Sequence, residues 1–155
     1  STEAVTVIGS LYVANKMTEY ESKDTKDDVF ITNYNSAGER VWSYILKGLN
    51  SEHSTVAKWT PDGDLLIGGF TNSDLAAQKH SGKEDVFLAK FNSSGILLWL
   101  RQFGTSENER PYAITIGVEG QIYITGYTEG QMDGAKNNGG RDIFLVQFNK
   151  DGEKM

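Results

Sequence analysis

The sequence of 155 residues has no cysteine, only two prolines, and fewer basic than acidic side chains. The absence of cysteine excludes disulfides, cysteine-ligated zinc, iron–sulfur clusters and thiol catalysis. Nowhere do about 18 apolar residues follow one another, so no membrane-spanning helix is predicted. The 15 basic and 21 acidic residues give a formal net charge of −6, which argues against partners that need a basic surface. We therefore expect neither nucleic-acid binding nor membrane insertion.

Glycine and aromatic residues are abundant instead, with 17 Gly, 7 Phe, 7 Tyr and 3 Trp, which is typical of packed strands joined by many turns. They follow a repeat of 57 residues, because the segment 28–38 recurs without a gap at 85–95 and 142–152. The residues to which we assign structural roles in the repeat are Asp28, Phe30, Asn35, Gly38 and Trp42 in the first unit, Gly69, Asp85, Phe87, Asn92, Gly95 and Trp99 in the second, and Gly126, Asp142, Phe144, Asn149 and Gly152 in the third. The first unit is looser: its residues 11–14 are similar to 122–125, which implies a shorter link after them.

Each unit contains four short segments with strand-forming composition, at 54–60, 64–70, 85–92 and 96–103 in the second unit. Turn sequences such as Pro-Asp-Gly at 61–63 join them in antiparallel, up-and-down order. The later strands are apolar on consecutive residues, which indicates that both faces are covered. Four-stranded antiparallel sheets stacked face to face predict an all-β fold of β-propeller blades. The chain would hold about two and three-quarter blades: residues 1–46 with a divergent first half, 47–103, and 104–155 lacking most of the fourth strand.

Several spaced motifs resemble the bacterial SBBP (seven-bladed beta-propeller) repeat family. They are Gly-Tyr-Thr at 126–128, Asn-Gly-Gly-Arg-Asp at 138–142, Asp-Ile-Phe-Leu-Val-Gln-Phe-Asn at 142–149, Trp-x-x-x-Phe-Gly-Thr at 99–105 and Gly-Gln-Ile-Tyr-Ile-Thr-Gly at 120–126. The first unit departs from them at 15–18 and 46–48. The resemblance implies tandem repeats in extracytoplasmic proteins (secreted, periplasmic or at the cell surface) of bacteria and some archaea. It also implies binding or structural roles, and no shared catalytic residues.

The repeated aspartates and tryptophans allow a functional and a structural interpretation. Asp28, Asp85 and Asp142 could bind a metal, or accept backbone N–H groups and fix the preceding long link. Trp42 and Trp99 could form exposed ligand platforms, or pack between blades. We favour the structural role in both cases, because each residue recurs at the same place in the repeat.

Other polar residues give no catalytic or metal site. Glu19, Glu21, Asp24, Asp27 and Asp28 form an acidic cluster that could bind calcium, but lysines interrupt it, and we favour a solvated loop without a cofactor. The two histidines, His53 and His80, lack partners at metal-ligand spacing. Glu107 and Glu109 are the one pair that suggests a glycosidase, and their spacing in a polar loop does not establish the carboxylate separation which that chemistry needs.

The sequence favours a non-enzymatic propeller module that serves protein interaction or scaffolding in a secreted or cell-envelope protein. A carbohydrate-binding propeller is the alternative, and an enzyme with a site in the central channel is favoured least. We expect the unassigned protein or glycan ligand to contact the links 17–27, 71–84 and 128–141 on one side, or 47–53 and 104–111 on the other. An open arc of blades exposes apolar sheet faces, so we expect further repeats of a longer chain, or self-association, to complete the propeller.

Overall fold

A computed structural model describes residues 5–12 and 26–155, and in this part of the chain the fold is all-β without a helix. Consequently, no helix in the described part is long and apolar enough to cross a membrane. The strands are β1 Val5–Tyr12, β2 Asp27–Tyr34, β3 Arg40–Leu46, β4 Glu52–Trp59, β5 Leu65–Thr71, β6 Asp85–Phe91, β7 Leu97–Phe103, β8 Glu109–Ile116, β9 Ile122–Thr128 and β10 Asp142–Phe148.

The strands form three antiparallel sheets, ordered β1-β2-β3, β4-β5-β6-β7 and β8-β9-β10. We call these sheets blades 1, 2 and 3. The expected class, antiparallel β-propeller blades, is confirmed. After the turn that follows β10, Lys154 forms an isolated bridge with Phe148.

The blades pack face to face, and β6 shows how one strand serves two neighbours. Phe87 and Ala89 belong to an apolar cluster shared with blade 1. Val86 and Leu88, on the opposite side of the same strand, belong to a cluster shared with blade 3. Successive strand residues point to opposite faces, so the continuous apolar run of β6 buries both faces. We call the face toward the next blade along the chain the trailing face, and the face toward the preceding blade the leading face.

The first unit aligns differently from the sequence expectation. Val5 pairs with Tyr34, as Leu65 pairs with Phe91 in blade 2. Residue 5, not residue 11, therefore corresponds to position 122, and the proposed match of 11–14 with 122–125 is wrong. These pairs are 29 positions apart in blade 1 and 26 in blade 2, so the first link is longer rather than shorter. Strand pairing, which the sequence does not display, sets this register.

The links within blades and the connections between blades lie at the same end of the molecule. The backbone N–H groups of Lys83 and Glu109 donate to the carbonyl oxygens of Glu107 (3.2 Å) and Glu84 (2.8 Å). The predicted placement of 71–84 and 104–111 on opposite sides is therefore wrong. In an up-and-down sheet, the second and fourth strands run in the same direction and finish at the same end of the sheet. We call this end the loop rim, and it comprises residues 47–51, 72–84, 104–108 and 129–141.

Candidate functional site

The loop rim is anchored by a glutamate that begins the first strand of blade 2. Glu52 is fully buried. Its carboxylate accepts hydrogen bonds from the backbone N–H of Gly48 (2.7 Å), from Thr71 Oγ1 (2.9 Å) and from Ser73 Oγ (2.7 Å). One side chain thereby ties the inter-blade connection to the end of β5.

Glu109 does the same in blade 3. It is also fully buried, and it accepts from the Thr105 N–H and Oγ1 (both 2.7 Å) and from Thr128 Oγ1 (2.6 Å). Glu107, its suggested catalytic companion, instead pairs with Lys83 at 2.6 Å. Both oxygens of Glu109 are occupied by donors, so the structure gives Glu109 the role of an anchor. Sequence reasoning missed this role, although Glu52 and Glu109 share the 57-residue offset.

Aspartates at the start of the third strands hold the long links. Asp85 Oδ2 accepts from the Ser81 N–H (2.8 Å) and from Gln102 Nε2 (3.0 Å). Asp142 Oδ2 accepts from the Asn138 N–H (3.0 Å). Asp28 is half-buried, and the link before it falls largely outside the described residues.

The described part of the chain contains no group of three or more histidine, aspartate or glutamate side chains that could hold a metal ion. Of the predicted acidic cluster, Glu19, Glu21 and Asp24 lie outside the described residues. The calcium alternative therefore stays a prediction. His80 Nε2 is 3.2 Å from the Lys83 carbonyl oxygen, and His53 lies 3.7 Å from Asp27.

The two described long links have the same backbone turn with different side chains. Ala76 and Ala77 have positive φ, as do Asp133 and Gly134 one repeat later. Leu75 and Met132, which precede these turns, are both buried. The repeat therefore keeps this turn of the rim and varies the residues exposed on it.

Charged side chains of the rim pair across the blade interface. Glu84 of blade 2 binds Arg110 of blade 3 through two hydrogen bonds of 2.6 and 2.8 Å, and the Arg110 guanidinium stacks 4.1 Å from the Phe70 ring centroid. The hydrogen bond to Glu84 raises the pKa of Arg110. Asp27 and His53 occupy the same repeat positions at the interface of blades 1 and 2. The two-point contact between Glu84 and Arg110 favours a single register of blades 2 and 3.

In blade 3, the charged residue at this repeat position pairs with a residue of the same blade. Arg141 takes the repeat position of Glu84, but it bonds to Glu129 of its own blade at 3.1 Å and stacks 4.2 Å from the Tyr127 ring centroid. Hydrogen bonds from Asn108 and Arg141 lower the pKa of Glu129. In blade 2, the ring of Phe70 is covered by Arg110 of the neighbouring blade. In blade 3, the equivalent ring of Tyr127 is covered by Arg141 of the same blade.

At the opposite end of the blades, each described tryptophan of the repeat docks on the next blade. Trp42 Nε1 donates to the Ser93 carbonyl oxygen (3.0 Å), and Trp99 Nε1 donates to that of Lys150 (3.3 Å). Gly95 and Gly152 lie directly beneath the two rings. The turns themselves are built by Asn35, Asn92 and Asn149, whose Oδ1 atoms accept backbone N–H groups two and four residues later.

The remaining repeat positions are a phenylalanine and the glycine opposite it. Gly69 pairs with Phe87 and Gly126 with Phe144. A Cβ atom on either glycine would collide with a carbonyl oxygen of the first strand, that of His53 or Arg110. Phe87 and Phe144 are buried, whereas Phe30 in blade 1 is half-buried.

A cavity of about 260 Å³ lies along the outer edge of β10, the last strand of its sheet, beside the link 129–141. Met132, Asp142, Ile143 and Leu145 contribute to its lining. Apolar residues from β10 and a few polar groups from the rim therefore meet at this surface.

No family model matches the sequence. The chain is 31% identical over 116 residues to Regulatory protein FlaEY of Caulobacter vibrioides, a match that covers 70% of this chain and 12% of that protein. It is 26% identical over 140 residues to a WD repeat-containing protein of Acanthamoeba polyphaga mimivirus, covering 79% of this chain and 10% of that protein. The chain thus spans a small part of both curated relatives. WD repeats form four-stranded propeller blades, which agrees with the observed sheets.

Proposed function

We propose that this chain is a non-enzymatic β-propeller module that binds a protein ligand through its loop rim. The observation that carries the proposal is the pair of described links, which have one backbone turn and different exposed side chains. A fixed scaffold with variable loops is the usual arrangement of a recognition surface. The buried carboxylates Glu52 and Glu109 serve this scaffold rather than chemistry.

The similarity to a WD repeat-containing protein and to a regulatory protein supports an interaction role. We further propose that the parent protein belongs to the SBBP type and is secreted or held in the cell envelope, because of the motifs at 99–105, 120–128 and 138–149. Fractionation of source cells into culture medium, envelope with periplasm, and cytoplasm tests this location. We expect the protein in the medium or the envelope fractions, and its presence in the cytoplasm alone would contradict an extracytoplasmic site.

A loop exchange tests the rim. Replacing residues 131–136 by the sequence of 74–79 keeps the positive-φ turn and changes the exposed side chains. We expect a protein that co-purifies with the wild type to be lost with the exchange variant, while far-UV circular dichroism melts stay equal. Exchanging Ser93 and Ser94 for alanine at the opposite end is the matched control and should leave binding intact.

A glycan array, followed by a titration with any sugar that binds, tests the alternative that the chain is a carbohydrate-binding propeller. Saturable binding with about one sugar per blade would favour the carbohydrate-binding propeller. Protein binding that is insensitive to the loop exchange would also contradict the proposal.

A further inference from the structure

The long link of blade 3 ends in an asparagine followed by a glycine, Asn138 and Gly139. Asparagine is a chemically labile residue, because the backbone nitrogen of the next residue can attack its side-chain carbonyl carbon. A Cβ atom on the next residue hinders this attack, and only glycine lacks one. Asn138-Gly139 is the one asparagine–glycine pair in the sequence.

The side-chain amide of Asn138 is exposed and makes no hydrogen bond in the described part of the chain. The contact of this residue to Asp142 uses the backbone N–H instead. The turn-forming asparagines are different, since Asn149 Oδ1 accepts two backbone N–H groups and Asn149 Nδ2 donates to Glu153 at 2.7 Å. Nothing therefore holds the Asn138 amide away from the following backbone nitrogen.

The exposure of Asn138 is a property of its position in the repeat. Ser81 occupies the same position in blade 2, and its backbone N–H donates to Asp85 Oδ2 (2.8 Å) as that of Asn138 donates to Asp142 Oδ2 (3.0 Å). Ser81 is exposed although blade 3 packs against blade 2. Asn138 should therefore stay accessible whether or not another blade follows.

One hydrogen bond restrains the attacking nitrogen. The Gly139 N–H donates to Asn137 Oδ1 at 2.7 Å. Oδ1 is a neutral acceptor, so this bond favours the protonated nitrogen and opposes its attack on the neighbouring side chain. Gly139 is itself exposed, so water competes for the bond and the restraint is partial.

We propose that Asn138 is a site of spontaneous deamidation through a cyclic imide, at a rate that the Asn137 side chain restrains. The Gly139 nitrogen gives its proton to solvent and forms a bond to Asn138 Cγ, while the side-chain nitrogen takes up a proton and leaves as ammonia. Water then opens the ring at Cγ, which gives aspartate, or at the backbone carbonyl carbon, which gives isoaspartate.

Either product adds one carboxylate to the loop rim, and isoaspartate also adds one methylene group to the main chain. No oxidant, reductant or cofactor is needed. The inference does not depend on the proposed function, because the reaction requires no ligand.

Ageing of the full chain at mildly alkaline pH, followed by mass spectrometry of tryptic peptides, tests the inference. We expect the peptide 137–141 to convert from amide to carboxyl at residue 138 and to separate chromatographically into aspartate and isoaspartate forms. The peptide 91–101 is the internal control, since its Asn92 is followed by serine, and it should stay unchanged over the same period.

Two variants of the full chain sharpen the test. Asn138→Gln should show no conversion in the peptide 137–141, because the longer side chain closes a less favourable ring. Asn137→Ala should convert faster than the wild type, because it releases the Gly139 N–H. Circular dichroism before ageing establishes that both variants are folded.

A synthetic peptide of residues 135–143 supplies the reference rate, because it lacks the fold. A folded wild type that keeps the amide of residue 138 while this peptide deamidates completely would overturn the inference. Conversion at Asn92 as fast as at Asn138 would also overturn it. Equal rates in the wild type and Asn137→Ala would refute the restraint assigned to Asn137.

Discussion

Glu109 carries a buried negative charge that is stabilised by hydrogen-bond donors and by no cation among the described contacts. Thr105 supplies a backbone and a hydroxyl donor, and Thr128 supplies a second hydroxyl. Hydrogen bonds to charged groups are stronger than neutral ones, which offsets part of the cost of removing the carboxylate from water. The arrangement fixes where the chain leaves one blade and enters the next.

Glu109→Gln should destabilise the protein by about 2–3 kcal/mol, because the amide nitrogen presents a donor to groups that are themselves donors. Urea unfolding measures the difference. Glu107→Gln is the control, since its ion pair with Lys83 lies at the surface and should contribute less than about 1 kcal/mol. Equal losses in the two variants would show that Glu109 is not an anchor.

Glu129 should make the stability of the fold dependent on acid. Its pKa is lowered from 4.5, first by the hydrogen bond from Asn108 and then by that from Arg141. The stabilisation is therefore present above pH 4.5 and is lost as the pH falls through the lowered pKa. Asn108→Ala should move the pKa of Glu129 up toward its ordinary value, as read by a carboxyl ¹³C NMR titration.

Asn138→Ala is the matched control for that titration, because the Asn138 contact to Asp142 uses the backbone N–H and not the side chain. It should leave the Glu129 titration unchanged. A Glu129 midpoint that Asn108→Ala does not move would refute the assigned cause.

Residues with strong turn preferences are the ones whose local geometry is readable from the sequence. The turn-forming asparagines and the positive φ of Gly38, Gly95 and Gly152 follow from known turn preferences. The buried glutamates were missed because glutamate is rarely buried, although the offset between Glu52 and Glu109 was visible in the sequence. Their donors come from different elements, and only the fold brings these together.

At the scale of single elements, the tryptophan and the turn of the next blade form one unit. The ring covers a glycine and its Nε1 donates to a turn carbonyl oxygen, so a strand edge and a hairpin of two blades become one packed surface. Glycine at this turn has two separate causes, the positive φ and the ring above it.

Three glycine-to-alanine variants separate these causes. Gly38→Ala meets only the left-handed backbone, with φ +78° and no described atom nearby, and should cost about 1 kcal/mol. Gly152→Ala has the same φ and places its Cβ 2.8 Å from Trp99 Cδ2, so about 1–3 kcal/mol should be added. Gly95→Ala, beneath Trp42, should resemble Gly152→Ala. Urea unfolding gives the three values.

A Trp99→Ala background supplies the control for this series. Removing the ring should reduce the cost of Gly152→Ala to that of Gly38→Ala. Three equal costs in the wild-type background would mean that the tryptophan contributes no packing at the turn.

Strand identity was readable from composition, whereas the relation between elements was harder to predict. The apolar run of β6 correctly indicated stacked sheets, whereas the prediction that β7 is covered on both faces is wrong, because β7 is the outer strand of its sheet and leaves Leu98 48% exposed. The position of β1 depends on its pairing with β2, and the divergent sequence of β1 does not specify that register. The links within blades and the connections between blades lie at the same end because the second and fourth strands run in the same direction. The sequence-based assignment of sides did not take this into account.

At the scale of the whole molecule, stability should be a sum of blade and interface contributions, as in other repeat proteins. Apolar clusters cover both faces of blade 2, whereas in the described residues blades 1 and 3 each contribute one face to these clusters. The same repeat position therefore has different energetic weight in different blades.

Leu88→Ala and Leu145→Ala compare one repeat position in the two environments. Leu88 is fully buried, so its truncation should cost about 2–5 kcal/mol at every protein concentration. Leu145 is 69% exposed, so its truncation should change the stability of the dilute monomer by less than about 0.5 kcal/mol. Urea unfolding of dilute protein measures both costs, and equal losses in the two variants would show that the two positions are packed to the same extent.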